Sequence, residues 1–178
     1  MGSPSQPSLD KILRIHCVKV FVHDQEPALR FYLDQLGFRL VADTVLQSGE
    51  RWLAVAPPDG EAVIALVAPA PESKQYPLIG RHTDVVFVTD DVIAKYREWS
   101  RRGVKFLSVP KLRRIKSASG GPIVKGDDSP VWGGVFTSFK DLDGNSFALV
   151  SFDEVTHAIE AQRRAIAEKA EAERRVAQ

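Results

Sequence analysis

Apolar and polar residues alternate from residue 13 to residue 22. Val18, Val20 and Val22 fall on one side, and Cys17, Lys19, Phe21 and His23 on the other. A period of two reads as a β-strand. Residues 24–27 form a turn that can cap a helix, with Pro27 near its first turn. Ala28, Leu29, Phe31, Tyr32, Leu33 and Leu36 then recur at helical spacing. Gly37 ends the helix, as glycine does by accepting the left-handed conformation. Strands are predicted over 38–45, 51–56 and 62–67, with Pro57-Pro58-Asp59-Gly60 as the hairpin turn between the last two. The unit is strand, helix, strand, strand, strand.

Residues 68–80 hold four prolines and glycines in thirteen positions and read as a linker. The pattern then restarts. A strand is predicted over 84–89. Asp90-Asp91 caps a helix with the stripe Val92, Ile93, Tyr96 and Trp99, Gly103 ends it, and 104–109 is the next strand. Phe21-Val22-His23-Asp24 and Phe87-Val88-Thr89-Asp90 stand 66 positions apart, as do Gly37 and Gly103. Equal spacing with the same element order points to a duplicated module. Strands over 135–139 and 146–152 complete the second copy, joined by the turn Asp141-Leu142-Asp143-Gly144-Asn145.

Two segments fall outside that pattern. Residues 111–131 read as a long loop. Its basic cluster is Lys111, Arg113, Arg114 and Lys116, its small-residue hinge is 117–121, and a turn lies at 126–130. A connection this long is a lid or a surface loop. Residues 153–178 are rich in Ala, Glu, Arg and Lys without Gly or Pro and are predicted to form one helix. Three of its seven seam positions are polar, which suits a connecting or dimerising helix better than an independent zipper.

Composition narrows the function classes. The 178 residues are 44% hydrophobic and 26% charged, the balance of an ordinary globular domain. A net charge of +1 gives a nucleic-acid or membrane partner no support. The single cysteine, Cys17, excludes an intrachain disulfide framework and suits a reducing cytoplasm. No apolar run is long enough to cross a bilayer, and residues 1–8 lack the apolar centre of a signal peptide. The expected organisation is a disordered tail over 1–11, one domain over 12–153 with modules 12–68 and 81–153, and a helix over 154–178. No serine-nucleophile, phosphate-loop or dinucleotide glycine signature appears.

Several short stretches together resemble the vicinal oxygen chelate superfamily, the glyoxalase, bleomycin-resistance and extradiol dioxygenase group. They are Val22-His23-Asp24 with Phe31-Tyr32 and Leu36-Gly37-Phe38, Asp90-Asp91-Val92 with Tyr96 and Gly103-Val104, Trp132-Gly133-Gly134, and Asp141 to Asn145. Asp141-Leu142 stands where the family has Asp-Pro. The resemblance covers about 13–152. It implies an α+β fold of two tandem βαβββ modules, a curved mixed sheet around a cleft, followed here by the C-terminal helix. It also implies a divalent transition-metal site with one residue from the first and one from the last strand of each module. Those four positions correspond to Cys17, Ala65, Asp84 and Ala148. Two lack a donor atom, and a thiolate with a lone carboxylate is a poor pair for Mn, Fe or Ni. A shifted register would offer His16, His82 and Asp84, at the cost of turning His16 away from the Val18 face, where it would pack against a helix.

The leading reading is a small-molecule-binding domain with no metal cofactor, similar to the bleomycin-resistance branch. Its ligand would be a small organic, anionic compound. The expected ligand-binding residues are Cys17, Lys19, Phe21, Trp52, Asp84, Trp132, Phe136 and Ala148, the aromatics serving as walls. Lys19 either pairs with Asp84 in place of the lost metal or binds an acidic group of the ligand. The basic stretch 111–116 either closes over that ligand or is simply solvated. The chain is expected to form a homodimer, and its helix to lead into an output domain beyond residue 178 of a signalling protein. The rivals are a metal-dependent glyoxalase, dioxygenase or lyase with displaced ligands, and a structural dimerisation module.

Overall fold

The computed structural model describes residues 15–58, 60, 62–116, 130–154, 161 and 165, with only the backbone for 114–116 and 130–132. The hinge at 117–121, most of the turn at 126–130, the N-terminal tail and nearly all of the C-terminal helix lie outside the described residues.

The first module runs β1 (Cys17–Phe21), α1 (Gln25–Arg30), a π-helical turn (Phe31–Gln35), β2 (Arg39–Val45), β3 (Arg51–Ala56) and β4 (Val63–Val67). The Asp24 side chain caps α1 by accepting from the Glu26 N–H at 2.9 Å. Gly37 stops the helical stretch at φ +74°, a conformation that costs a residue with a Cβ. After the linker, with its short 3₁₀ turn Tyr76–Leu78, come β5 (His82–Val88), α2 (Val92–Arg101), β6 (Lys105–Phe106), β7 (Lys111–Lys116), β8 (Pro130–Lys140) and β9 (Ser146–Phe152). Asp91 caps α2, accepting from the Ala94 N–H.

The strands form two sheets, ordered β1-β4-β3-β2 and β5-β9-β8-β6, with β7 added to β8. In each, the first strand of the half pairs parallel with its last: β1 with β4, and β5 with β9. The internal repeat seen in the sequence is therefore present in the strand order. Among the described residues no ladder joins β1 to β5, and each module contributes its own sheet. One expectation is corrected. The start of the supposed loop 111–131 is a strand, antiparallel to β8 from Lys111↔Phe136 to Lys116↔Pro130. Its basic residues hid the strand, because β7 pairs at one edge and needs little apolar surface.

One face of each sheet packs into a common core with the helices. That core includes Val20, Val22, Leu53, Val55, Ile64 and Leu66 from the first sheet, and Phe139, Phe147 and Leu149 from the second. Phe87, Phe139 and Phe147 stack, with Phe139 and Phe147 ring centroids 5.4 Å apart. Gly134 lets β8 approach β9: a Cβ there would stand 2.0 Å from the Ser151 carbonyl oxygen.

The turn between β8 and β9 binds the halves together. Asn145 donates through Nδ2 to the Phe21 carbonyl at 2.9 Å and to Asp141 Oδ2 at 2.8 Å, while its Oδ1 accepts from the Gly80 N–H at 2.8 Å. Tyr32 of the first module donates to Asp141 Oδ2 at 3.0 Å. His23, just past β1, contacts Asp143 Oδ1 through both its backbone N–H and Nδ1.

Candidate functional site

The faces turned away from the core carry most of the expected ligand-binding residues. In the first sheet, strand register places Lys19 opposite Ala65, Ala65 opposite Ala54, and Ala54 opposite Ala42. A lysine thus stands at the end of a three-alanine row. On one side lies Phe21 opposite Val67, and Trp52 opposite Thr44. On the other lies Cys17 opposite Val63, with Cys17, Ala42 and Trp52 packed against Ala54, Ala56 and Val63. The period of two in β1 therefore assigned Cys17, Lys19 and Phe21 to one face correctly. Ala42 and Ala54 were missed, since alanine in a strand carries no chemical signal.

In the second sheet the corresponding face has three cross-strand rows. His82, Ser146, Lys140 and Lys105 form the first. Val86, Ala148 and Ser138 form the second. Val88, Val150, Phe136 and Lys111 form the third. Phe136 and Ala148 thus share a face, as expected, and Val86 and Val88 stand exposed beside them. Trp132 lies in β8, and its side chain is outside the described residues.

Asp84 departs from the expected picture. It sits at an irregularity in β5 between His82 and Val86, at φ +56°, the one non-glycine residue with positive φ among those described. Aspartate tolerates that region better than most residues. Its side chain is 90% exposed and meets His82 Nε2 at 3.1 Å. No Lys19–Asp84 ion pair forms among the described residues, so the alternative in which that pair replaces a metal is not realised. Lys19 remains exposed on its own face. His82 Nδ1 also meets Ser146 Oγ at 2.9 Å. His16 is exposed just before β1 and is not packed against a helix as supposed.

The residues at the positions that the resemblance assigns to a metal do not fit an ion. Ala65 and Ala148 offer methyl groups, and among the described residues no group of three or more His, Cys, Asp and Glu lies together. The strongly shifted titrating groups lie elsewhere. Burial pushes the Asp141 carboxyl up, against the hydrogen bonds it accepts from Asn145 and Tyr32, and burial with the Asp141 charge pushes the Tyr32 phenol well up. Asp141 lies in the turn between β8 and β9, and Tyr32 reaches it from the first module.

Comparison with known proteins agrees with this architecture. The chain is 29% identical over 138 residues to the uncharacterized protein YetH of Bacillus subtilis (strain 168), covering 78% of this chain and 98% of that one. Among solved structures it is similar to TnmS3, an antibiotic binding protein from Streptomyces sp. CB03234, at 29% identity and TM-score 0.55 over 80% of this chain and 98% of that one. It is also similar to a superfamily member from Sphaerobacter thermophilus DSM 20745, at 29% identity and TM-score 0.59 over 79% and 98%. Residues 14–149 match the family pattern itself, and the chain belongs to the Glyoxalase/Bleomycin resistance protein/Dioxygenase superfamily.

Proposed function

We propose that this chain binds a small organic anion on the sheet faces turned from the core, without a metal and without chemical turnover. The observation that carries the reading is the row Lys19, Ala65, Ala54 and Ala42. At Ala65, which the resemblance assigns to a metal donor, this chain has a methyl group buried within an alanine row, with the half-buried aromatics Phe21 and Trp52 nearby and a single exposed ammonium. Such a surface suits an apolar body that carries one acidic group. The antibiotic-binding neighbour TnmS3 supports a ligand of natural-product size.

A second copy completes the site in this reading. β1 and β5 each end a sheet with one side unpaired among the described residues, and Val86 and Val88 are exposed beside that edge. Both features suit pairing in a homodimer.

The test is a thermal-shift screen against aromatic acids and anionic natural products, followed by calorimetry on wild type and Lys19→Ala. Saturable binding at one ligand per chain, weakened in the variant, supports the reading. No stabilisation by any compound would favour a structural dimerisation module. One equivalent of tightly held transition metal in the purified protein would favour the metalloenzyme.

A further inference from the structure

The first row of the second sheet is polar from end to end, and the row beside it is mostly apolar. His82 faces Ser146 across the parallel pair, Ser146 faces Lys140, and Lys140 faces Lys105. Directly opposed residues share a face with their Cβ atoms close together. Like charges directly opposed are destabilising unless a counter-charge meets them. Here neither Lys105 nor Lys140 meets a carboxylate among the described residues. The acidic residue on the same face, Asp84, is engaged by His82 Nε2 at 3.1 Å. That contact and the 2.9 Å contact of His82 Nδ1 with Ser146 Oγ fix the imidazole at the end of the row.

We infer that His82, Ser146, Lys140 and Lys105 form a seat for a doubly charged oxyanion, the head group of a phosphate monoester. Two ammoniums supply the compensating charge. The Ser146 hydroxyl can rotate its hydrogen from His82 Nδ1 to the anion and donate to it. The next row, Val86, Ala148 and Ser138, and the exposed Val88 beyond it would underlie the organic body of the ester. Lys111, at the end of the third row, adds a further cation on the far side. The seat extends the ligand reading above and rests on it only for the body of the ligand. The head-group site stands on the row itself.

The experiment titrates the full chain with inorganic phosphate and with phenyl phosphate, at constant ionic strength held with chloride, following melting temperature and heat. Wild type, Lys105→Gln, Lys140→Gln and the double variant are compared. In chloride alone, removing either lysine is expected to leave the melting temperature unchanged or raise it, because a repulsion is relieved. Phosphate is expected to stabilise wild type, with affinity falling about tenfold in each single variant. Phenyl phosphate should bind more tightly than phosphate. Phosphate stabilisation equal in wild type and the double variant overturns the seat, as does no stabilisation of wild type at all. Lysine-dependent phosphate binding with no advantage for phenyl phosphate upholds the seat and counts instead against the apolar ligand surface.

Discussion

Lys19 stands directly opposite Ala65 across the parallel ladder of β1 and β4. The pairing sets a lysine beside the alanine at the position that the resemblance assigns to a metal donor. If the ligand's acidic group lies on this lysine, Lys19→Ala removes a charged hydrogen bond worth about 1.5–3 kcal/mol, so affinity should fall roughly 10- to 100-fold. Lys19 is exposed, so unfolding free energy should move by no more than ~0.5 kcal/mol. Trp52→Ala is the complementary change. It removes a half-buried aromatic wall of the site and should weaken the ligand while Lys19 is intact. Calorimetry with the best compound from the screen reads both, and undiminished binding by both variants would move the site elsewhere.

The fold was largely legible because two periods carry it. Alternation over 17–22 and the helical stripe from Ala28 to Leu36 appear at the expected places, and the 66-residue offset reappears as the same strand order in each sheet. β7 was not legible. Lys111, Arg113, Arg114 and Lys116 make it look like a solvated loop, and its partner residues in β8 lie across an intervening segment. For the site, parity placed Cys17, Lys19 and Phe21 on one face, but it could not foresee the irregularity at Asp84. A residue at positive φ in a strand leaves the rule of two, and the carboxylate expected to meet Lys19 turned to His82 instead.

That irregularity gives a second prediction. Holding Asp84 at φ +56° costs backbone energy that an aspartate bears and a β-branched residue bears badly. Asp84→Val should destabilise the protein by about 1–2 kcal/mol, and Asp84→Asn should cost much less. Asp84→Gly relieves the strain and loses the contact with His82, so it should lie near neutral. Urea unfolding of the variants checks the ranking. A valine variant as stable as wild type would mean that β5 can straighten without cost.

Gly134 yields a sharper expectation. A Cβ at this position would meet the Ser151 backbone oxygen at 2.0 Å, with Ser151 C and Phe152 Cα at 2.9 and 3.0 Å. Nothing flexible lines that space, so Gly134→Ala must push β8 away from β9. The two strands are paired from Gly134↔Phe152 to Lys140↔Ser146, and the opposite face of that ladder holds Phe139, Phe147 and Leu149 of the core. The expected loss is at least the ~1–3 kcal/mol of ordinary overpacking. Gly49 is the control. A Cβ there meets nothing within 4 Å, and its φ of +84° charges only the left-handed strain. Gly134→Ala should therefore lower the melting temperature more than Gly49→Ala.

The buried contact between Tyr32 and Asp141 makes stability depend on pH at both ends of the scale. Asp141 is 5% exposed, and its carboxyl titrates above the ordinary 3.8. Between that value and the raised one, the folded chain keeps a proton that the unfolded chain releases, so this group's contribution to stability falls as pH rises through the acidic range. Tyr32 is fully buried, with its phenol raised well above 10.0. The folded chain again keeps a proton that the unfolded chain loses, so stability should decline as pH climbs above about 10. Tyr32→Phe removes the alkaline contribution but leaves Asp141 with one donor fewer, costing ~1–3 kcal/mol near neutrality. Asp141→Asn is nearly isosteric yet should cost a similar amount. Oδ2 accepts from Tyr32 and Asn145, Oδ1 accepts from the Asn145 N–H, and an amide nitrogen in either place faces a donor. Chemical denaturation across pH should show a shallower alkaline limb for Tyr32→Phe than for wild type. If the two limbs are parallel, the phenol is not held protonated by the fold, and the bond to Asp141 contributes little to joining the two halves.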